Sequence, residues 1–247
     1  MALFEANHIH KRFGQQVVLE RIDMRFEANK LSGIMGPNGA GKTTLFNVLT
    51  GQYKPDRGQV IFDGEDITGQ PEHVIAGKGI SRSFQIMNLF DEYTVLQNVV
   101  VALPQIRKRR YNMFRNVPFD DEFNSRGYEV LQLIGLGDDA NKEANRLPYG
   151  KRRALEIGVA LATNPKMLFL DEPTQGLGSE QINHLAELIE RLKEKVTMVI
   201  IEHDMSFLFR LADVISVVHW GQVIRNGTPD ELMQNKWVTA SSLGKLE

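Results

Sequence analysis

Gly36, Pro37, Asn38, Gly39, Ala40, Gly41, Lys42 and Thr43 follow a short apolar run and open a helical one. Glycines at these spacings let the backbone turn tightly enough for successive N–H groups to surround a phosphate. Lys42 adds a point charge and Thr43 offers a hydroxyl to Mg²⁺, while the helix beginning here brings its positive dipole end to the same place. The competing reading is an ordinary glycine-rich turn. From typical residue usage, the pattern's fixed positions arise by chance in roughly one chain in a hundred of this length, and the correct flanks make chance rarer still.

A second candidate lies at Asp171 and Glu172, after the apolar run Met167, Leu168, Phe169, Leu170. A buried strand would deliver both acids at its carboxyl end, where open α/β sheets place their ligands. Asp171 is suited to hold Mg²⁺ through water, and Glu172 to accept a proton from an attacking water. Two adjacent acids after a strand are equally a solvated turn. A third polar group, His203, ends the run Val199-Ile-Ile-Glu-His. A histidine there is usually a satisfied structural residue and gains meaning only beside the other two.

These residues need a frame of alternating strands and helices. Leu31–Met35, Val60–Phe62 and Ser216–Val218 read as strands, the last two entering the turns Asp63-Gly64 and Trp220-Gly221. Met167–Leu170 and Val196–Ile201 are continuous apolar runs, as expected of strands buried on both faces of a parallel sheet. Lys42–Leu49 continues as a helix stopped by Gly51. Leu96–Leu103, Tyr128–Ile134 and a stretch starting near Gly150 have helical spacing with no strand between them, which predicts a helical subdomain at about 88–160 inserted into a single domain spanning 1–247, with 226–247 as a C-terminal tail.

Composition narrows the function classes. A chain of 247 residues, 42% hydrophobic, can bury a sizeable core. Its 29 basic and 31 acidic residues lack the basic excess of a dedicated nucleic-acid binder, so no nucleic-acid partner is expected. With no cysteine there are no disulfides, thiolate metal sites or cysteine nucleophiles. No window approaches the roughly 18 apolar residues of a membrane span, and the start, MALFEANHIHKRF, lacks a signal-peptide core. A cytoplasmic location follows unless a partner holds the chain at a membrane.

Together the glycine loop, the strand-end acids and the histidine resemble the ATP-binding-cassette (ABC) ATPases over nearly the whole chain. The resemblance implies an α/β P-loop cassette with a mainly parallel sheet core, an antiparallel N-terminal β region and an inserted helical subdomain. It implies ATP and Mg²⁺, with phosphates held by Gly36 through Thr43 and Thr44, and metal contacts from Thr43, Gln85 and Asp171. Phe13 in KRFGQQ matches the family's adenine-stacking aromatic, against the alternative of a core phenylalanine. Gln85 in RSFQ matches the glutamine that touches metal and attacking water. Glu172 matches the general base and His203 the γ-phosphate contact. Leu147, Pro148, Tyr149 and Gly150 stand where the family carries its signature LSGGQ, which completes the ATP site of a second cassette.

A narrower resemblance lies in RSFQ, NLFDEYTVLQNV, LPYGKRRALEIGVAL, IEHDM and NGTPDELM, which look like the longer ATPase subunit of branched-chain-amino-acid-type importers, phrases shared by urea and amide importers. That implies a second ATPase subunit in a heterodimer, or alternatively a homodimer, beneath two membrane permease subunits on the cytoplasmic face of the cell membrane, fed by a solute-binding protein. The alternative is a non-import cassette serving lipid or polysaccharide export. Pro148 and Tyr149 replace the signature's serine and first glycine; Pro148 is acceptable in a first helical turn, where its missing N–H has no partner anyway. Gly178 replaces an aspartate that couples the two ATP sites. Arg107-Lys-Arg-Arg110, near Arg115, is read as a solvated face or as a contact for anionic lipid headgroups or an acidic permease stretch, with nucleic acid a weaker option.

Overall fold

Runs apolar at every position can be buried only if both faces of the sheet are covered, and the structure covers both. The computed structural model describes residues 2–83, 89–104 and 121–235. Its strands are β1 (Ala2–Phe13), β2 (Gln16–Glu27), β3 (Leu31–Met35), β4 (Arg57–Phe62), β5 (Glu65–Asp66), β6 (Ile80–Arg82), β7 (Met167–Asp171), β8 (Thr197–Ile201), β9 (Val214–His219) and β10 (Gln222–Gly227). One sheet has the order β10-β9-β3-β8-β7-β6, parallel from β9 to β6, with β10 antiparallel at the edge. The other, β2-β1-β4-β5, is antiparallel.

The side-chain alternation of β7 shows how the layers share one wall. Leu168 and Leu170 join the core that includes the helices, whereas Met167 and Phe169 join the core beneath the antiparallel sheet. Strand β8 divides likewise, Met198 and Ile200 to one side, Val199 and Ile201 to the other. Phe169 meets Phe4, Phe26 and Phe46 at ring-centroid distances of 5.6, 6.4 and 6.0 Å, geometries that favour edge-to-face contact.

The helices are α1 (Lys42–Leu49), α2 (Glu72–Gly77), α3 (Val95–Val100), α4 (Asp121–Leu133), α5 (Tyr149–Ala162), α6 (Ser179–Leu192), α7 (Met205–Leu211) and α8 (Pro229–Met233). Between β6 and β7 the described residues hold α3, α4 and α5 and no strand, only an isolated bridge from Thr94 to Glu143. Helix α3 starts one residue earlier than its apolar spacing predicts because Thr94 and Gln97 form a reciprocal capping box. Helix α4 extends back to Asp121, with Asp121 and Glu122 in its first turn, where acids suit the dipole. The stretch expected as a tail opens inside β10 and continues through α8, whose Leu232 is buried.

Helix α6 begins at Gly178, whose N–H donates to Gln181 Oε1 at 3.1 Å. Its φ of −77° suits any residue, and a Cβ there would meet nothing within 4 Å. Gly178→Asp therefore adds an N-cap acceptor and removes unfolded-state freedom. We expect about 0.5–1 kcal/mol of added stability, read as a rise in Tm of about 1–4 °C. A lowered Tm would show that the position tolerates no side chain.

Candidate functional site

The carboxyl ends of adjacent strands β3, β8 and β7 converge on one place. From β3 the chain passes into the glycine loop, and its tightness is enforced by neighbours. A Cβ on Gly36 would lie 2.0 Å from Val218 O, and Gly41, at φ 97°, would carry its Cβ to 2.9 Å from Val18 O. These two positions admit only glycine. The loop is stitched to the β9–β10 turn by Gly221 N–H donating to Ala40 O at 3.0 Å, and closed on itself by Ala40 N–H to Pro37 O at 3.2 Å. Gly39 instead faces open space.

Lys42, at the first position of α1, is 6% exposed and donates to Gly36 O at 2.8 Å and Pro37 O at 3.0 Å. Burial lowers the pKa of its ammonium, opposed by the charges of Glu172, Asp171 and Glu202. A buried cation coordinated by two loop carbonyls, beside open space and helix-start N–H groups, is suited to an anion.

Asp171 is the last residue of β7 and 5% exposed; its N–H donates to Ser83 Oγ at 3.4 Å. Burial pushes its carboxyl up to about 6, and the adjacent Glu172 adds to the rise against Arg153 and Arg82. Glu172 follows at φ 44°, a left-handed conformation that costs a non-glycine residue energy and is concentrated at functional sites. It is held there by its N–H donating to Ile201 O at 2.8 Å, so β8 fixes the turn out of β7. His203 lies after β8, its Nδ1 3.9 Å from Glu172 Oε1.

The structure thus brings Lys42, Asp171, Glu172 and His203 together. Phe13 sits at the end of β1, 46% exposed, its ring edge-on to Tyr53 at 5.4 Å with Lys11 over it at the same distance. It is not a core phenylalanine. Gln85 and the Arg107–Arg110 run, with Arg115, lie outside the described residues. Leu147 is buried. Pro148, expected within the first turn of α5, is instead its N-cap, with φ −57° and ψ 151°, and the helix starts at Tyr149. Its carbonyl accepts from Arg152 N–H at 3.0 Å, so the missing donor is one the cap position does not need.

One residue that motif reasoning passed over holds the site together. Glu202 is fully buried. Its Oε1 accepts from Thr174 N–H at 2.8 Å and Thr174 Oγ1 at 2.5 Å; its Oε2 accepts from His203 N–H at 3.0 Å and Asp204 N–H at 3.4 Å. It joins the loop after Glu172 to the loop carrying His203. The available signal was an acid directly after the apolar run Met198–Ile201, a placement that demands several donors.

A glycine loop with a buried lysine at the start of a helix, and strand-end acids on a neighbouring parallel strand, define a P-loop nucleotide-hydrolysing cassette. Residues 19–175 match the family model described as ABC transporter, and the chain belongs to that family as an ATP-binding, ATP-hydrolysing subunit. It is 36% identical, over 98% of each chain, to the high-affinity branched-chain amino acid transport ATP-binding protein BraF of Pseudomonas aeruginosa, and equally so to LivG of Escherichia coli K12. Among solved structures, an ATP-binding cassette of an ABC transporter in its ADP conformation is 30% identical and superposes with a TM-score of 0.88 over 99% of both chains. A dimeric cassette in a post-hydrolysis state, bound to ADP and Pi, matches at 27% identity and a TM-score of 0.75, covering 92% of this chain and 98% of that one.

Proposed function

We propose that this chain is the ATPase subunit of an importer for branched-chain amino acids or a related small polar solute such as urea, an amide or a carboxylate. The observation carrying the ATPase part is the meeting of Lys42, Asp171, Glu172 and His203 at the ends of three adjacent parallel strands. The importer part rests on the likeness to BraF and LivG over almost their whole length.

In this reading the loop Gly36–Thr44 cradles the phosphates of ATP, Lys42 leaving its carbonyls for phosphate oxygens, and Phe13 stacks on adenine. Glu172 takes a proton from the attacking water and His203 steadies charge on the transferring phosphoryl group. Among the described residues no three His, Asp or Glu side chains are grouped to hold a metal alone. Mg²⁺ would fit here through Thr43, Asp171 and the phosphates, with Gln85 added by the family resemblance, since Asp171 is 5% exposed with Glu172 next to it and a cation would offset both charges. When bound, the ion would offset the negative charge of the phosphates during transfer.

The start of α5, Leu147–Gly150, completes the site of a second cassette, in a heterodimer or a homodimer, a reading supported by the dimeric solved cassette. Helices within about 88–160 carry the movement to two permease subunits, which hold the chain at the cytoplasmic face of the cell membrane, and a solute-binding protein delivers the substrate. Among the described residues no helix is long and apolar enough to cross a membrane, in keeping with a peripheral position.

Lys42→Ala tests the nucleotide site. We expect its affinity for ATP, measured by calorimetry, to fall at least about 30-fold, the scale of about 2 kcal/mol for a lost charge-assisted contact. Normal binding would contradict the P-loop reading. Purification of the tagged chain from membranes tests the importer: export-type membrane subunits in place of importer permeases would overturn it.

A further inference from the structure

Helix α5 does more than present its first turn. Arg153, one turn in and 4% exposed, points its guanidinium at the backbone that follows β7. Nη2 donates to Asp171 O and Glu172 O, both at 3.0 Å, and Nε to Pro173 O at 3.1 Å. Nη1 meets Glu156 Oε2 at 2.6 Å, so a buried ion pair on the same helix fixes the direction of the fork. Tyr149, at the first position of α5, donates its hydroxyl to Gln175 O at 3.2 Å and stands against Gly176, where a Cβ would meet that hydroxyl at 3.2 Å. Four carbonyls of the loop 171–175 are therefore gripped from α5, while Thr174 N–H is held from the opposite side by Glu202.

We propose that Tyr149 and Arg153 are positioning residues that tie the start of α5 to this chain's own Glu172. The proposal rests on the reading above, in which Glu172 is the general base and the start of α5 meets the nucleotide of the second cassette. The partner's nucleotide then sets the placement of Glu172 in this chain through a rigid fork rather than across solvent. The left-handed backbone at Glu172 makes its side chain sensitive to that grip, because a small shift of the flanking carbonyls releases a strained turn. Tyr149 thereby exchanges the small residue of the family signature for a hydroxyl that reaches the base-bearing loop.

The test compares Tyr149→Phe, which removes one hydroxyl, with Arg153→Lys, which keeps the charge but loses the fork. The readouts are kcat and KM for ATP hydrolysis, ATP affinity by calorimetry, MgATP-dependent association in a Glu172→Gln background, and Tm. We expect kcat to fall about threefold for Tyr149→Phe and about tenfold or more for Arg153→Lys, one and several lost hydrogen bonds respectively. KM, ATP affinity and association should stay within about twofold, because the bonds removed run to this chain's own carbonyls at 171–175, while the backbone and ring of residue 149, which face the second cassette in the reading above, are kept in Tyr149→Phe. Should Arg153→Lys lower Tm sharply, Tyr149→Phe, at a half-exposed position, decides. Unchanged kcat in Tyr149→Phe overturns the proposal, as does a loss of association matching the loss of kcat. If Glu172→Gln itself still turns over at the unmodified rate, the reading of Glu172 fails and takes the proposal with it; if Glu172→Gln is silent while both variants turn over normally, the proposal alone fails.

Discussion

Glu172→Gln should retain ATP binding and lose hydrolysis by about 10²–10⁴-fold, the range for removal of a positioned general base. Glutamine keeps the length and shape of the side chain, and the main-chain contacts that place it, Glu172 N–H to Ile201 O and Glu172 O to Arg153, do not depend on the carboxylate. What disappears is the proton acceptor. Because the nucleotide is bound but not consumed, any ATP-dependent dimer should persist and be visible by size exclusion. Steady-state phosphate release beside calorimetric ATP binding checks the pair of expectations. Turnover within a few fold of the unmodified chain would sink the assignment, and loss of binding would show that the substitution damaged the site more broadly.

Asp171→Asn should stabilise the nucleotide-free, metal-free chain near pH 8, an unusual direction for a substitution at a candidate metal-binding acid. The carboxyl of Asp171 is raised to about 6 in the folded chain from an ordinary value of 3.8, first through burial and then through Glu172. A group raised on folding holds its proton longer in the folded state, so the stability it contributes is present below about pH 4 and lost as pH climbs toward and past 6. The full shift corresponds to about 3 kcal/mol, which partial screening reduces to about 1–3 kcal/mol. Asparagine stays neutral throughout. The variant and the unmodified chain should therefore unfold alike near pH 4 and separate by about 2–12 °C in Tm by pH 8. A difference that does not change with pH, or a variant less stable at pH 8, would contradict this. In the presence of Mg²⁺ and nucleotide the order should reverse, since the carboxylate then has a cation to face.

The candidate site was legible in the sequence where side chains define its geometry. The glycine loop, Lys42, Asp171, Glu172 and His203 could be placed because β7 and β8 are mostly apolar and lead directly into acids, and β3 is a short run that breaks off at the glycine loop. Strands β1 and β2 were legible only as a region. Their pairing is interrupted by register shifts, with His8 and Arg21 at positive φ, so the alternation that betrays a strand slips several times. Glu202, Arg153 and the hydroxyl contact of Tyr149 were hidden for a different reason. Most of their partners are main-chain groups, which contribute no letter to a sequence, so the motif Leu147–Gly150 showed two missing signature residues but not the hydroxyl gained. Pro148 was misplaced by one position for the same reason, since helix starts are set by φ and ψ rather than by residue type alone.

The two-sided burial of β7 reaches beyond the static arrangement. With Leu168 and Leu170 sealed against one layer and Met167 and Phe169 against the other, neither layer can melt without tearing the strand from its second neighbour. Local opening then has to begin at the periphery, in β10 or the ends of α2 and α8, and the last amides to exchange should be those of β7 and β8. Among the described residues, the floor beneath the two acids should then be the last part to open.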